Sequence, residues 1–415
     1  MSKEKMFLFL PIILSFVFSL ALSPGLAAKS EASSLFSETT WHFIAISDTQ
    51  QPIGEWDNTT GHYTHENSSN PIRRALMNSI VENNPNLKFI VHAGDMVTSG
   101  GEQDDWDRYF EDIANATSRN IPIYYAVGNH EFYKCNVGEF QFGAHEEDWA
   151  TYLANVQLPG NERFYSFDYN DQIHFTFINT DEDWHGGFQI TAEQQAWLVN
   201  DLANKNLDFT IAVFHRPCYS IRSPESVQQA HRVREILEPM FVQYKVDLAF
   251  SGHNHYYYRT ARNGIMHVVT GGGGANLGSN NDLSEWQEGD VFFSAYHYCN
   301  VTIQETYDQL MVRVDALIFH EDNKSTTLAD SFQISKTLGR GTTSSQLTTT
   351  HRTVVYYIPI FSALGLAIIF QDKRKRIILC LLVPLALLGE KEKGNLLEVL
   401  LIIREHFTFR LVLIS

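Results

Sequence analysis

The sequence predicts an α/β fold: two β-sheets packed face to face with helices on the outside. Three observations carry this. Apolar strand-like runs alternate with helical stretches through the first part of the chain, hairpin and meander signals dominate the last part, and short Gly/Asp/Asn/His strings sit at the ends of several apolar runs.

Taken in order, residues 43–47 are an apolar run ending at Asp48-Thr49-Gln50. A helix near 71–83 leads to a strand over 88–93, which ends at Gly94-Asp95. A helix near 103–118 then precedes a strand over 122–127 that runs into Gly128-Asn129-His130-Glu131. Near-continuous apolar character is expected of strands covered on both faces. The middle departs from this plan. Residues 164–180 read as a hairpin turning at Tyr169-Asn170-Asp171, and 191–204 as a helix opened by a Thr cap. The strand 209–214 is followed by His215, the helix near 226–243 by a strand over 246–251, and that strand by Gly252-His253-Asn254-His255. Asn263-Gly264 between 256–261 and 265–270 is a two-residue hairpin turn, and strands near 291–303 and 308–319 follow. No internal repeat is visible.

Carboxylate, amide and imidazole groups at the ends of successive core strands describe a metal site. Two adjacent divalent cations need a ligand that touches both, which a carboxylate can be, and Asp95 is the candidate. Mixed oxygen and imidazole ligation with open positions suits manganese, iron or zinc better than calcium. Each string alone is equally a strand-end turn; five in order point to chemistry.

The order of these strings resembles the calcineurin-like metallophosphoesterases and, within them, the purple-acid-phosphatase-like branch. Gly94-Asp95-Met96-Val97 followed by Gly100-Gly101 and an acidic, Trp-containing helix is similar to the family's second block. Phe214-His215-Arg216-Pro217-Cys218-Tyr219-Ser220 is similar to its histidine loop, and residues 268–274 to its late glycine loop. The resemblance runs from about residue 41 to 335. It implies a four-layer αββα sandwich with the site at strand C-termini. It further implies that Asp48 and His255, with Gln50, bind a first metal, that Asp95 bridges, and that Asn129, His215 and His253 bind a second. His130 would face the substrate as general acid or charge stabiliser, with Asn129 near the phosphoryl group; read from the residues, Arg216 beside His215 can pair with a phosphate or equally with a surface carboxylate. The implied activity is hydrolysis of a small phosphate ester by metal-activated water, with a monoesterase favoured. A diesterase for nucleotides or lipid headgroups and a catalytically weak binding ectodomain are the alternatives. Two departures stand out. The family's first string commonly ends in His where this chain has Gln50, and Thr98 stands where true purple enzymes carry a ferric-binding Tyr. Two divalent ions are therefore expected rather than a ferric centre.

The ends of the chain read differently. Residues 1–28 have a basic start, an apolar run and small residues, the pattern of a signal peptide. A metallophosphoesterase domain over 37–337 is followed by a Ser/Thr-rich linker, 338–352. Residues 353–370 form an uncharged apolar run of membrane-spanning length, and Lys373-Arg374-Lys375-Arg376 follows it within the tail 371–415. The expectation is an exported enzyme tethered through its C-terminal segment, with the catalytic domain outside. The chain holds 48 acidic against 31 basic side chains, a formal −17. Such a field disfavours a partner with a polyanionic backbone, so nucleic acid is not an expected partner. In an exported protein Cys135 and Cys218 could pair, or remain free thiols. The oligomeric state is left open.

Overall fold

The computed structural model describes residues 38–338, apart from the segments 51–55, 58–61, 64–69, 137–138, 143–145 and 183–187. In chain order the strands are β1 (Thr39–Ile46), β2 (Trp56–Asp57), β3 (His62–Tyr63), β4 (Ile90–His92), β5 (Ile123–Tyr125), β6 (Tyr133–Asn136), β7 (Glu139–Phe142), β8 (Tyr165–Tyr169) and β9 (Ile173–Ile178). They continue as β10 (Phe209–Phe214), β11 (Leu248–Ser251), β12 (Tyr257–Arg262), β13 (Ile265–Thr270), β14 (Val291–Phe293), β15 (His297–Glu305), β16 (Gln309–Phe319) and β17 (Thr326–Thr337).

Two large sheets form. One runs β17-β16-β15-β1-β4-β5 and the other β14-β12-β13-β11-β10-β9-β8. The early strands pair in parallel, β1 with β4 and β4 with β5. So do β9, β10, β11 and β13 in the second sheet. Strand alternation explains why the runs are apolar throughout. On β1, Trp41, Phe43 and Ala45 face the second sheet in one core, while Ile44 and Ile46 face helices in another. On β10, Phe209, Ile211 and Val213 join the core between the sheets, and Ala212 and Phe214 pack on the opposite side. The helices Pro71–Asn83 and Gln103–Asp112 cover the first sheet through Leu76, Ile80, Trp106 and Tyr109. The helices Ala192–Asn204 and Pro224–Gln243 cover the second through Leu198, Leu202, Val233 and Leu237. Helix, sheet, sheet and helix therefore stack in that order.

Several details differ from the sequence reading. The late antiparallel strands divide between the two sheets: β15 pairs antiparallel with β1 and extends the first, and β12 pairs antiparallel with β13 in the second. The helix expected over 103–118 breaks at Ile113, which lies at φ −94°, ψ 8°, so that Gln103–Asp112 and Ala114–Ser118 are separate. Asp112, the last residue of the first piece, is drawn into ion pairs with Arg73 and Arg74. Strand β17, the helix Glu146–Asn155 and the hairpins β2–β3 and β6–β7 were not foreseen. In β17 only Phe332 and Ile334 pack, partly buried, against the core, and the polar residues around them leave too short an apolar period to mark a strand. Asn263 and Gly264 do adopt the positive φ (50° and 82°) that their turn requires. Cys218 is a free, buried thiol, and the side chain of Cys135, its candidate partner, lies outside the described residues.

The chain divides into two units, Met1–Arg340 and Gly341–Ser415. The signal segment 1–28, the linker beyond residue 338, the apolar run 353–370 and the tail 371–415 all lie outside the described residues. Among the described residues no helix is long and apolar enough to cross a membrane.

Candidate metal centre

Asp48 follows β1, Asp95 follows β4 and Asn129 follows β5, all in the first sheet. His215 follows β10, and His253 and His255 follow β11, in the second. The carboxyl ends of parallel strands are where such sheets place ligand sites. Here the ends of two facing sheets meet at one point. The loops are held tightly. Asp48, Asp95 and His253 have left-handed backbones, with φ of 58°, 58° and 68°, a conformation uncommon outside glycine that persists only when the surroundings enforce it. A glycine precedes Asp95, Asn129 and His253 for a steric reason visible at each: a Cβ on Gly94 would fall on the His215 ring. A Cβ on Gly128 would fall on the Asp95 carboxylate, and one on Gly252 would fall on Ser47 and the Asp48 carboxylate.

The side chains converge in two groups that share Asp95: Asp95, His215 and His253, and Asp48, Asp95 and His255. In the first group His215 Nε2 lies 3.1 Å from Asp95 Oδ2 and 3.1 Å from Asn129 Oδ1, and His253 Nδ1 is 2.9 Å from the same amide oxygen. In the second, His255 Nε2 is 3.3 Å from Asp48 Oδ1. The outer nitrogens of these rings are already engaged. His215 Nδ1 donates to the Ala93 carbonyl (2.9 Å) and His255 Nδ1 to that of Asn276 (2.6 Å). His253 Nε2 faces Gln229 Oε1 at 3.4 Å. At His215 and His255 such tethers to backbone carbonyls fix the tautomer and aim a lone pair inward. A neutral imidazole lone pair 3.1 Å from a carboxylate oxygen is an acceptor facing an acceptor, and only a cation between them relieves it.

Without a metal, a proton does that work. Burial lowers the basicity of His215, but the Asp95 carboxylate outweighs it and pushes the ring up to about 10. His253 goes the other way, held well below its ordinary value by burial and then by the charge of Arg216. Burial opposes ionisation of Asp95, yet His215 and His130 hold its carboxyl well below the usual carboxylate range. Two carboxylates, an amide oxygen and three inward imidazoles match the donor set expected for manganese, iron or zinc, so the residues fit two divalent ions.

Gln50 joins the cluster with its amide reversed. Nε2 lies 3.3 Å from Asp95 Oδ2 and 3.4 Å from His255 Nε2, while Oε1 is buried without a hydrogen-bond partner. In this orientation it cannot ligate; exchanging oxygen and nitrogen would turn Oε1 towards the centre. His130 stands apart from the ligand groups. Its Nδ1 donates to the Thr98 carbonyl (2.7 Å), and Nε2 is 4.0 Å from Asp95 Oδ2. Arg216 does not present itself as an open phosphate-binding residue. It is only 5% exposed, and its Nε is committed to the buried Asp181. Its Nη1 reaches Gln229 Oε1 and His253 Nε2, both at 3.3 Å. The carboxylate it meets is thus internal rather than on the surface.

Reasoning along the chain missed the residues that hold the ligand loops. Glu131 is fully buried and accepts from the backbone N–H groups of Asp95 (2.9 Å), Met96 (2.8 Å) and Gly128 (2.7 Å). Burial, reinforced by the Asp95 carboxylate, raises its carboxyl to about 8. Arg73, also buried, donates to the carbonyls of Thr49 (3.0 Å) and Met96 (3.2 Å) while paired with Asp112. Asn70 caps the helix Pro71–Asn83 and donates to the carbonyls of Thr49, Gln50 and Gly274. The one signal for Glu131 was its place in the Gly-Asn-His-Glu string. Glu131→Ala should orphan three buried donors at about 1–3 kcal/mol each. Urea unfolding should show a loss of several kcal/mol, with Glu131→Gln losing less; a loss below about 1 kcal/mol in the alanine variant contradicts the clamp.

Comparison with known proteins places these features among relatives. The sequence profile described as calcineurin-like phosphoesterase matches residues 42–257. A protein of Arabidopsis thaliana named probable inactive purple acid phosphatase 1 is 27% identical over 310 residues, covering 64% of this chain and 47% of that protein. A nucleotide pyrophosphatase/phosphodiesterase of Hordeum vulgare is 26% identical over 237 residues, covering 48% and 61%. The chain thus spans less than two thirds of either relative. Among solved structures, a purple acid phosphatase from yellow lupin (Lupinus luteus) seeds aligns with a TM-score of 0.54 and 22% identity, over 72% of this chain and 54% of that one. That likeness is one of fold.

Proposed function

The chain belongs to the calcineurin-like phosphoesterase family, and on that premise we propose that it hydrolyses phosphate esters, monoesters by preference, at the centre built on Asp95. The observation that carries this is the pair of donor groups sharing one carboxylate, with each imidazole's outer nitrogen engaged and its inner one turned to the centre. Asp48, His255 and a reoriented Gln50 would hold one divalent ion, and Asn129, His215 and His253 the other. When bound, such ions supply a water nucleophile of lowered pKa and neutralise charge on the phosphoryl oxygens. The chain's own residues do the rest. The Asp95 carboxylate sets the spacing of the two sites. The His130 ring, with Nδ1–H anchored on Thr98, holds Nε2 at the rim, where in its protonated form it can pass a proton to the leaving oxygen. Arg216 and Gln229 orient His253 from behind. Turnover of mono- and diester model substrates by the metal-replete protein tests the reading; no turnover of either class overturns it.

A second reading, a catalytically weak ectodomain, draws support from Gln50 and from the relative named as probably inactive. Gln50 makes a direct test of how the first site is built. A neutral amide that must turn over to ligate should hold its ion more loosely than imidazole. Chelation of the native protein should proceed in two phases, and Gln50→His should slow the faster one. Simultaneous release of both ions, unaltered by the substitution, would take Gln50 out of the ligand set.

We also propose, from sequence alone, that the domain lies outside the cell, exported by residues 1–28 and tethered by 353–370. Protease added to intact cells should then remove the activity. Activity that survives while an outer-surface marker is digested reverses the topology.

A further inference from the structure

A second group of metal-binding side chains lies away from the centre, in the layer between the second sheet and its helices. Cys218 sits on the loop after β10, Glu238 on the helix Pro224–Gln243 and His267 on β13. All three are buried, at 1%, 6% and 5% exposure, and one ligand atom from each lies within 4.8 Å of the other two. We propose that Cys218, Glu238 and His267 form a third metal site, for a zinc-class transition cation.

The geometry between two of the donors favours a cation over a hydrogen bond. His267 Nε2 and Glu238 Oε2 are 3.4 Å apart, and both atoms are buried with no hydrogen-bond partner. A charge-assisted hydrogen bond would close to about 2.7–2.9 Å. Nitrogen and oxygen donors each about 2.0–2.2 Å from a tetrahedral zinc stand about 3.4 Å apart. The carboxylate is also prepared for one-sided use. Its Oε1 accepts from Tyr219 Oη (3.1 Å) and Asn263 Nδ2 (3.0 Å), which leaves Oε2 turned to His267. Such outer partners are what orient metal-binding carboxylates. The nearby guanidinium groups do not forbid a cation, because Arg234 is paired with Glu285 (2.6 Å) and Arg262 with Asp290 (3.3 Å). Thiolate, imidazole and carboxylate together select zinc or cobalt over magnesium or calcium. Burial, with the Glu238 charge, raises the Cys218 thiol well above its ordinary value. The metal must therefore displace a proton, and its affinity should rise with pH. Because Cys218 is three residues beyond His215, the ion would tie the histidine loop to the helix and to β13.

Cobalt(II) is the probe that separates this site from the main centre, since among the described residues no cysteine belongs to that centre. The full chain saturated with Co²⁺ should show thiolate-to-cobalt charge-transfer absorption. Cys218→Ser, a nearly isosteric change, should abolish that band and lower bound cobalt by about one equivalent. His267→Ala, which keeps the thiol, should weaken it, while Asp95→Asn should retain it. A saturated native protein without the band, a band surviving in Cys218→Ser, or a band of unchanged strength and affinity in His267→Ala would each overturn the site and leave a buried His–Glu pair beside a free thiol.

Discussion

Asp95→Asn is expected to strip the protein of most of its bound metal and to reduce phosphate-ester hydrolysis to near background. Asp95 is the one residue present in both donor groups, so both ions lose a shared negative charge at once. The loss should exceed the ~10²–10³-fold that removal of a single electrostatic stabiliser costs, because the substitution removes ions and not only a contact. Folding should survive. Asparagine is isosteric, the backbone N–H of residue 95 stays on Glu131 (2.9 Å), and Oδ1 can still accept from the His130 N–H (2.9 Å). Metal analysis and turnover on the same folded sample decide the matter. Near-normal turnover with full metal content would remove Asp95 from the bridging position and the two-ion proposal with it.

His130→Ala should behave in the opposite sense for metal and in the same sense for rate. His130 belongs to neither donor group. Its ring hangs on the Thr98 carbonyl with Nε2 4.0 Å from Asp95, so metal content should stay at the native level. Turnover should fall roughly 10²–10⁴-fold, the scale of acid–base assistance. The deficit should shrink as the leaving group improves, since a weakly basic oxygen needs no proton. Loss of one metal equivalent would make His130 a ligand, and an equal deficit for all leaving groups would assign it to charge stabilisation instead.

Much of this was legible along the chain because parallel strands impose order. A strand covered on both faces must be apolar on both, so 43–47, 88–93 and 209–214 declared themselves, and whatever polar residue followed each run had to lie at a sheet end. Asp48, Asp95, Asn129, His215, His253 and His255 were therefore readable as a set. β17 was not, because at this sheet edge only Phe332 and Ile334 pack against the core and the residues around them are mostly polar. The partner of Arg216 was not legible for a related reason. A guanidinium beside a ligand histidine looks free for phosphate until the fold brings Asp181, 35 residues away, against it.

The sequence by itself determined the strands and helices that lead into the centre, the strand-end residues that converge there and the family to which they point, because these depend on short-range period and on residue type. Only the tertiary structure decided which nitrogen of each histidine faces inward, that Gln50 presents its amide nitrogen to the centre, and that Glu131, Arg73 and Asn70 lock the ligand loops together. It also decided that Cys218, Glu238 and His267 meet. Each of these rests on contacts between residues far apart in the chain, and the direction of a side chain at such a contact is set by packing and by the need to satisfy buried polar groups, neither of which is written in local sequence.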